Sequence, residues 1–287
     1  MYTFWMVIVT IIWGSTFFII KDTVATVNEY FIVLVRSGLA FLAIALIQLI
    51  RRPEGFMNRK AMLHGTILGV LLATTYATQT IGLKYTSTGH SAFITSSAVI
   101  LVPFILWLFF GIKLFRIDVM AVLVVFAGLF LLTYDIDTAV NTGDLITIIT
   151  AIACAFHIVL AGRYVKEGEA LSIVTFQFLG ATLASGAAWL VSGGQTGVVS
   201  GGAWISMVYL GLIGTLVTYF ITVWVQQYVS SLRVAIIFSL EPVFATIFGY
   251  FILTEILTFR ESAGAMFVLG GVVLHTVLKQ RINKVTR

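Results

Sequence analysis

The sequence predicts an all-α, polytopic membrane protein with ten transmembrane helices arranged as an inverted 5+5 repeat. Three observations lead to this prediction. The 287-residue chain is 60% hydrophobic and only 10% charged, whereas about 25% of a typical soluble domain is charged. It contains ten hydrophobic runs that are long enough to cross a bilayer. Its second half also repeats the first at a constant shift of 143 residues.

The ten runs follow one another with short connectors, which leaves no room for a soluble domain. They lie near residues 3–20, 30–50, 62–83, 92–112, 117–134, 143–162, 171–192, 204–226, 233–253 and 262–279, and we number them spans 1 to 10. The first run lacks a basic leader and a small-residue cleavage site, so we expect it to stay as a helix. Enzymatic or nucleic-acid functions that need a soluble domain are not expected.

The repeat shows how the two halves are oriented. Residues 62–133 and 205–276 are identical at 12 of 72 positions, and several of the matches are polar or small residues inside apolar runs. Tyr76 falls on Tyr219, and Ser96 falls on Ser239. Each copy contains five spans, an odd number, so the second copy enters the membrane from the opposite side. Inverted repeats of this kind are a building plan of secondary transporters, with the substrate bound between the halves.

The charges of the loops predict the topology. If the N-terminus is cytoplasmic, the inner loops and the C-terminal tail hold 13 of the 17 Lys and Arg residues. This positive-inside bias predicts an inner or plasma membrane protein with both termini in the cytoplasm. It also accounts for the net charge of +5 without a nucleic-acid partner. The predicted units are a first five-helix repeat at 1–134, a second at 143–280 and a basic cytoplasmic tail at 281–287.

The sequence contains no motif for a metal, a nucleotide or a disulfide. Cys154 is its one cysteine, so no intrachain disulfide can form. It also lacks a Walker-type phosphate loop and a His/Cys cluster with metal-ligand spacing. We therefore expect no cofactor and no catalytic residues. The expected partners are a small-molecule substrate and the lipid bilayer, with monomer and homodimer both open. The Gly-rich stretch 192–202 is expected to be a flexible outer loop.

Span 8 carries a polar stripe on one helical face, formed by Thr215, Tyr219, Thr222 and Gln226. The shift of 143 places these residues on Leu72, Tyr76, Gln79 and Leu83 of span 3, so the two inner positions are polar in both copies. Lipid offers no hydrogen bonds, so such groups should face the protein interior or a wet cavity. They either line a cavity or join neighbouring helices. We favour the cavity, because the inverted repeat brings the two stripes near one midplane axis.

Two charged residues lie within the spans. Glu241 lies deep in span 9, where a charge costs about 3 kcal/mol and usually marks a pathway or a proton relay. It binds a substrate amine, carries a coupling proton, or is a neutral carboxyl hydrogen-bonded to backbone that Pro242 frees. Arg36 lies roughly 10 Å into span 2. We expect it to snorkel towards the headgroups, with contact to a substrate carboxylate as the alternative. The different depths of Arg36 and Glu241 argue against a direct ion pair.

Further candidates lie in spans 1, 4, 6 and 9. Pro103 and Pro242 occupy the repeat-related spans 4 and 9, where they either act as hinges for alternating access or are merely tolerated. His157 lies one turn from Cys154, a pair too small for a metal site, and is expected to line the cavity or make a satisfied polar contact. His157 maps onto Gly14 in span 1, so by symmetry Trp13 and Thr16 are expected to share that cavity.

Some of these residues also carry a family resemblance. They are Trp13-Gly14-Ser15-Thr16 in span 1, Arg36 early in span 2, the run 83–92 before span 4, and Ser239-Leu240-Glu241-Pro242-Val243-Phe244 in span 9. Over its whole length the chain resembles the drug/metabolite transporter superfamily, specifically its EamA branch. One departure is Val99, which stands where the first copy would match Pro242. The resemblance implies a pocket lined by spans 1, 3, 4, 6, 8 and 9, and most often the transport of an amino acid or a related compound.

The expected function is therefore secondary transport, with export of a small metabolite such as an amino acid by alternating access around a central pocket. The candidate substrate-binding residues are Trp13, Thr16, Tyr76, Gln79, Ser96, His157, Tyr219, Thr222 and Glu241, and the candidate hinges are Pro103 and Pro242. A proton-coupled exporter of cationic drugs, with Glu241 as the cation site, is the alternative. A polytopic membrane enzyme would need clustered Asp or His at a membrane face, and the sequence has no such cluster.

Overall fold

The computed structural model describes residues 1–51, 58–133, 139–253 and 258–285, and ten of its helices are long and apolar enough to cross a membrane. These described helices correspond to the ten predicted spans. They are α1 (Tyr2–Thr23), α2 (Glu29–Arg51), α3 (Arg59–Tyr85), α4 (Thr88–Ser96 and Ala98–Phe110), α5 (Arg116–Thr133), α6 (Thr142–Tyr164), α7 (Ala170–Val191), α8 (Gly201–Gln226), α9 (Ser231–Phe238 and Glu241–Leu253) and α10 (Phe259–Val285).

Polar side chains between the apolar runs begin the helices. The Asn58, Ser87, Ser200 and Ser230 side chains each accept a hydrogen bond from a backbone N–H in the first turn of the helix that follows. Asn141 and Asp144 form a capping box at the start of α6. These contacts satisfy backbone donors that have no partner inside the helix. The helix starts are therefore encoded locally.

Helix packing follows the inverted repeat. Helix α3 of the first copy packs against α6 and α7 of the second copy. The equivalent helix of the second copy, α8, packs against α1 and α2 of the first. The contact of α4 with α6 is likewise matched by that of α9 with α1. Three further contacts, between α2 and α7, α4 and α9, and α5 and α10, join equivalent helices. The fold is thus an all-α inverted 5+5 repeat, and the facing helices of the two copies enclose its centre.

The two repeat-related helices α4 and α9 are interrupted near their middles. The break in α4 is at Ser97, with φ −63° and ψ −11°. The break in α9 is at Ser239, with φ −63° and ψ −8°, and at Leu240. The hydroxyls of Ser97 and Ser239 donate to the carbonyls of Ile94 (2.6 Å) and Ala235 (3.2 Å) in the preceding turn. Serine bonds of this kind bend helices.

The two prolines lie differently with respect to these breaks. Pro242 is the second residue of the segment after the break, where a missing N–H costs nothing. Pro103 lies inside Ala98–Phe110, six residues beyond Ser97. The interruption of α4 therefore does not require a proline, and the hinge role of both prolines stays a prediction.

One expectation about the connecting segments needs correction. The Gly-rich stretch 192–202 is anchored, because Gly197 forms a β-bridge with Val27 and the Asn28 N–H donates to the Thr196 carbonyl at 2.9 Å. Helix α10 extends into the predicted basic tail 281–287 as far as Val285, and the cytoplasmic position of that tail stays a prediction. Residues 52–57 of the inner loop, 134–138 of the acidic connection between the repeats, and 286–287 at the C-terminus lie outside the described residues.

Candidate functional site

A small cavity of about 50 Å³ lies between the two repeats. Helices α1, α3, α4, α6, α8 and α9 contribute to its wall, together with α2 through Arg36. Seven of the candidate residues line it: Trp13, Thr16, Tyr76, Gln79, Ser96, Tyr219 and Glu241. The structure therefore brings most of the sequence-derived candidates together in one place.

Aromatic rings enclose much of this cavity. Trp13 packs edge-on against Phe238, with ring centroids 4.7 Å apart, and lies 5.3 Å from Tyr219. Tyr76 and Tyr219, the repeat-related pair, meet edge to face at 5.9 Å. Edge-to-face arrangements let one ring meet the negative face of another with its positive edge. The cavity therefore has largely apolar walls with a few polar groups between them.

Arg36 is buried at the cavity and does not reach the surface of the protein. Its side chain is 1% exposed, its Nε donates to the Thr215 hydroxyl at 3.0 Å, and its guanidinium carbon lies 3.5 Å from the centre of the Tyr76 ring. The expectation that Arg36 snorkels was wrong. Thr215 on the neighbouring helix α8 and the Tyr76 ring hold the cation in the interior, the ring by a cation–π contact. The Arg36 Nη1 atom has no hydrogen-bond partner among the described residues.

The acceptors for this part of the site come from a π-helical turn in α8. Residues Leu212–Val217 form the turn, and the Gly214 carbonyl inside it accepts a hydrogen bond from the Trp13 indole at 3.1 Å. The Thr215 hydroxyl is also within 3.1 Å of the Tyr76 hydroxyl. Such wide turns often occur at functional sites. No sequence signal indicated this one.

Glu241 begins the second segment of α9 and lines the cavity from the side of the second repeat. Its side chain makes no hydrogen bond or ion pair with any described residue. The contact with backbone freed by Pro242, which was the structural alternative for Glu241, is thus not formed among the described residues. Arg36 and Glu241 are not ion-paired with each other, as their different depths predicted. A guanidinium and a carboxyl group therefore line one cavity without forming an ion pair with each other.

Two candidates do not line the cavity. His157 lies behind it, where Nε2 is 3.1 Å from Gln177 Oε1 and the ring meets Tyr219 edge to face at 5.2 Å. Thr222 is buried, and its hydroxyl has no partner among the described residues. Of the four residues in the polar stripe of α8, only Tyr219 lines the cavity. Gln226, at the end of the stripe, joins helices, since Nε2 donates to the Ile158 carbonyl at 2.8 Å.

Ser239, which the repeat pairs with Ser96, lines the cavity as well. Sequence reasoning missed several further lining residues, among them Thr75, Thr95 and Phe238. The repeat offered a signal for Thr75, because it matches Thr218. Phe238 and Thr95 have no such mark, since an aromatic residue or a threonine in an apolar run is ordinary. In the described part of the chain no group of three or more His, Cys, Asp and Glu residues could hold a metal ion.

Known proteins of similar sequence and similar fold include transporters. An uncharacterized transporter of Archaeoglobus fulgidus is 27% identical over 269 residues, which cover 94% of this chain and 83% of the relative. The uncharacterized transporter YyaM of Bacillus subtilis is 24% identical over 281 residues, covering 93% and 90% of the two chains. A solved crystal structure superposes with a TM-score of 0.79 at 15% identity, over 96% of this chain and 97% of the other, which shows a shared fold.

The sequence profile of one family matches both repeats. It is the profile of the EamA-like transporter family, and it matches residues 1–134 and 141–277. The two matches include the residues that line the central cavity. The chain is therefore a multi-pass membrane transporter and belongs to the EamA-like transporter family.

Proposed function

We propose that this transporter exports a small zwitterionic metabolite of the amino-acid class, bound in the central cavity and moved by alternating access. One observation carries the proposal. Arg36 and Glu241 line the same cavity from opposite repeats, and neither side chain is ion-paired with a described residue. A solute with one carboxylate and one ammonium group supplies the charge that each of them lacks.

The two charges are suited to different ends of such a solute. Arg36 is held by Thr215 and Tyr76, and its Nη1 atom still has no partner among the described residues. A guanidinium presents several donors in a fixed plane and matches a carboxylate well. Glu241 offers acceptor oxygens for an ammonium group. A charge left unpaired within a membrane protein is expensive, so both positions favour a ligand.

The cavity walls limit the rest of the substrate. Trp13, Tyr76, Tyr219 and Phe238 provide apolar faces, and Ser96 and Gln79 provide polar groups. A cavity needs roughly 10–15 Å³ to hold one water, so the present 50 Å³ holds only a few. We therefore interpret this conformation as one closed around the site, which must widen to bind substrate. In an inverted repeat, rocking of one half against the other opens such a site to each side in turn.

A proton-coupled exporter of lipophilic cations is the second candidate, because Glu241 has no cation paired with it among the described residues. Arg36 separates the two proposals. A buried guanidinium in the same cavity repels a cationic substrate, whereas it attracts the carboxylate of a zwitterion. Arg36→Gln should therefore impair zwitterion transport, and it should improve the transport of cations.

Counterflow in proteoliposomes tests the proposal. The assay uses a panel of labelled amino acids and nucleotide sugars, with and without a pH gradient, on the wild type and on Arg36→Gln and Glu241→Gln. Lys84→Gln is the control, because Lys84 pairs with Glu29 and is not among the residues that line the cavity. We expect amino-acid counterflow by the wild type and the control, reduced about tenfold or more in the two cavity variants. Transport of lipophilic cations alone would overturn the proposal, and net uptake into cells would overturn the export direction.

A further inference from the structure

A second cavity, of about 370 Å³, lies at the end of the molecule where α4 and α6 finish and where α5 and α9 begin. It shares no residue with the central cavity. We call it the interfacial pocket, because four apolar helices start or end around it and it therefore lies at the boundary between hydrocarbon and water. Lys113, Arg163, Lys166, Phe110, Phe115 and Leu232 are among the residues that form it.

Cations dominate the rim of the interfacial pocket. Lys113, Arg163 and Lys166 are exposed there, and the Arg163 guanidinium lies 4.8 Å above the Phe110 ring. Two carboxylates are nearby. Glu167 is exposed, whereas Asp118 is buried, accepts the Phe115 N–H at 3.1 Å and bonds His275 Nε2 at 3.0 Å. Three cations thus face one exposed carboxylate, and the rim favours an anionic ligand.

The inner and lateral walls of the same pocket are apolar. Leu106, Val159 and Leu232 form its buried floor. Gly111 ends α4 with φ +61°, a left-handed cap that turns the chain towards α5. On that turn Ile112 and Phe115 are 48% and 58% exposed, next to exposed aromatic residues at the end of α4. Apolar side chains that face the bilayer therefore lie immediately beside the cationic rim.

We propose that the interfacial pocket binds an anionic phospholipid of the surrounding membrane. Lys113, Arg163 and Lys166 contact the phosphate of the headgroup, and the acyl chains run along Ile112 and Phe115 into the bilayer. Basic pockets between transmembrane helices on the cytoplasmic side recognise anionic headgroups in this way, and the positive-inside bias assigns this end of the molecule to the cytoplasm. A free anion such as inorganic phosphate would use the cationic rim and leave the apolar wall unused.

A lipid in the interfacial pocket would contact helices that also form the transport site. Helices α4, α6 and α9 line both the interfacial pocket and the central cavity. A lipid in the pocket contacts all three helices at one end, so it stabilises the arrangement in which they are packed together there. Ligands stabilise the state to which they bind. The bound lipid therefore favours the conformation that is closed at the basic end.

Native mass spectrometry on the full chain tests the proposal, with detergent micelles that contain phosphatidylglycerol or phosphatidylcholine of identical acyl chains. The test variant is Lys113→Gln/Arg163→Gln/Lys166→Gln. The matched control is Arg59→Gln/Lys60→Gln/Arg116→Gln, which removes three exposed cations from the same end but outside the pocket. We expect the wild type to retain phosphatidylglycerol in preference to phosphatidylcholine. Retention should fall about fivefold for each pocket cation removed and should stay nearly unchanged in the control.

The proposal would be overturned if the wild type retained the two lipids equally, or if the test and control variants lost phosphatidylglycerol equally. Displacement of the lipid by millimolar inorganic phosphate would also overturn it, because it would indicate a site for a free anion. If the triple variant does not fold, as judged by size-exclusion chromatography, Lys113→Glu and Ile112→Ser/Phe115→Ser carry the same test. Each of these variants should lose phosphatidylglycerol, and Lys113→Arg/Lys166→Arg should retain it.

Discussion

At the residue scale, Arg36 shows where sequence reasoning reaches its limit. Its charge and its depth in α2 were evident from the sequence, but the partner that holds it is not. Arg36 donates to Thr215, which is 179 positions away along the chain. A snorkelling side chain and a buried one have the same sequence signature, and only the packing of α2 against α8 decides between them. For Glu241 the sequence was sufficient, because an acidic residue deep in an apolar span already indicates a functional site in the protein interior.

Tyr76 should contribute to the site through its hydroxyl and its ring separately. Tyr76→Phe removes the contact with Thr215 at 3.1 Å and keeps the ring beneath the Arg36 guanidinium. We expect a several-fold loss of counterflow, since one buried hydrogen bond contributes about 1 kcal/mol. Tyr76→Leu loses the cation–π contact as well and should be more severe. Both should reach the membrane in normal amounts, and equal activity of the two variants would contradict the role of the ring.

Transport should also depend on pH through Glu241. Protonation of the carboxyl removes the negative charge that binds the substrate ammonium, so counterflow should fall as the pH is lowered. Glu241→Gln lacks a titratable group and should be slow at every pH, with a flat profile. Counterflow rates measured from mildly alkaline to mildly acidic pH provide the check. A wild-type profile as flat as that of the variant would remove Glu241 from substrate binding.

At the element scale, the positions of the helices were predictable and their irregularities were not. Each of the ten described helices lies where a hydrophobic run predicts it, because a bilayer requires every spanning backbone to satisfy its own hydrogen bonds. The interruptions at Ser97 and Ser239 depend on local serine–carbonyl bonds that a hydropathy pattern does not register. Pro103 drew attention to the correct helix, but the break occurs six residues before it.

The contact between α5 and α10 depends on glycines that leave no space for a side chain. A Cβ atom added at Gly128 would lie 2.7 Å from the Val268 nitrogen, whereas one added at Gly270 would have nothing within 4 Å. Gly128→Ala should therefore separate the helices and lower the thermal stability by several degrees. Gly270→Ala is the matched control and should be neutral or slightly stabilising, because alanine favours helix. The melting temperatures of the two purified variants should differ clearly, and equal values would contradict the packing.

At the scale of the whole molecule, the inverted repeat accounts for the site. The shift of 143 residues predicted that Tyr76 and Tyr219 would meet near one axis, and their rings lie 5.9 Å apart across the cavity. The repeat also separates shared from unshared residues. In the repeat, Glu241 is equivalent to Ala98, and Arg36 is equivalent to Leu179. The two charged residues therefore have no charged counterpart in the other copy and break the symmetry of the duplicated scaffold. Because Arg36 and Glu241 come from different repeats, the cavity can bind a zwitterionic solute in one orientation, with its carboxylate at Arg36 and its ammonium group at Glu241.

The most direct test of the account is competition in counterflow by an amino acid, its methyl ester and its N-acetyl derivative. The ester lacks the carboxylate assigned to Arg36, and the acetylated compound lacks the ammonium group assigned to Glu241. We predict that both compete much more weakly than the parent against the wild type. Arg36→Gln should no longer discriminate against the ester, and Glu241→Gln should no longer discriminate against the N-acetyl derivative. Equal competition by all three compounds against the wild type would contradict the account.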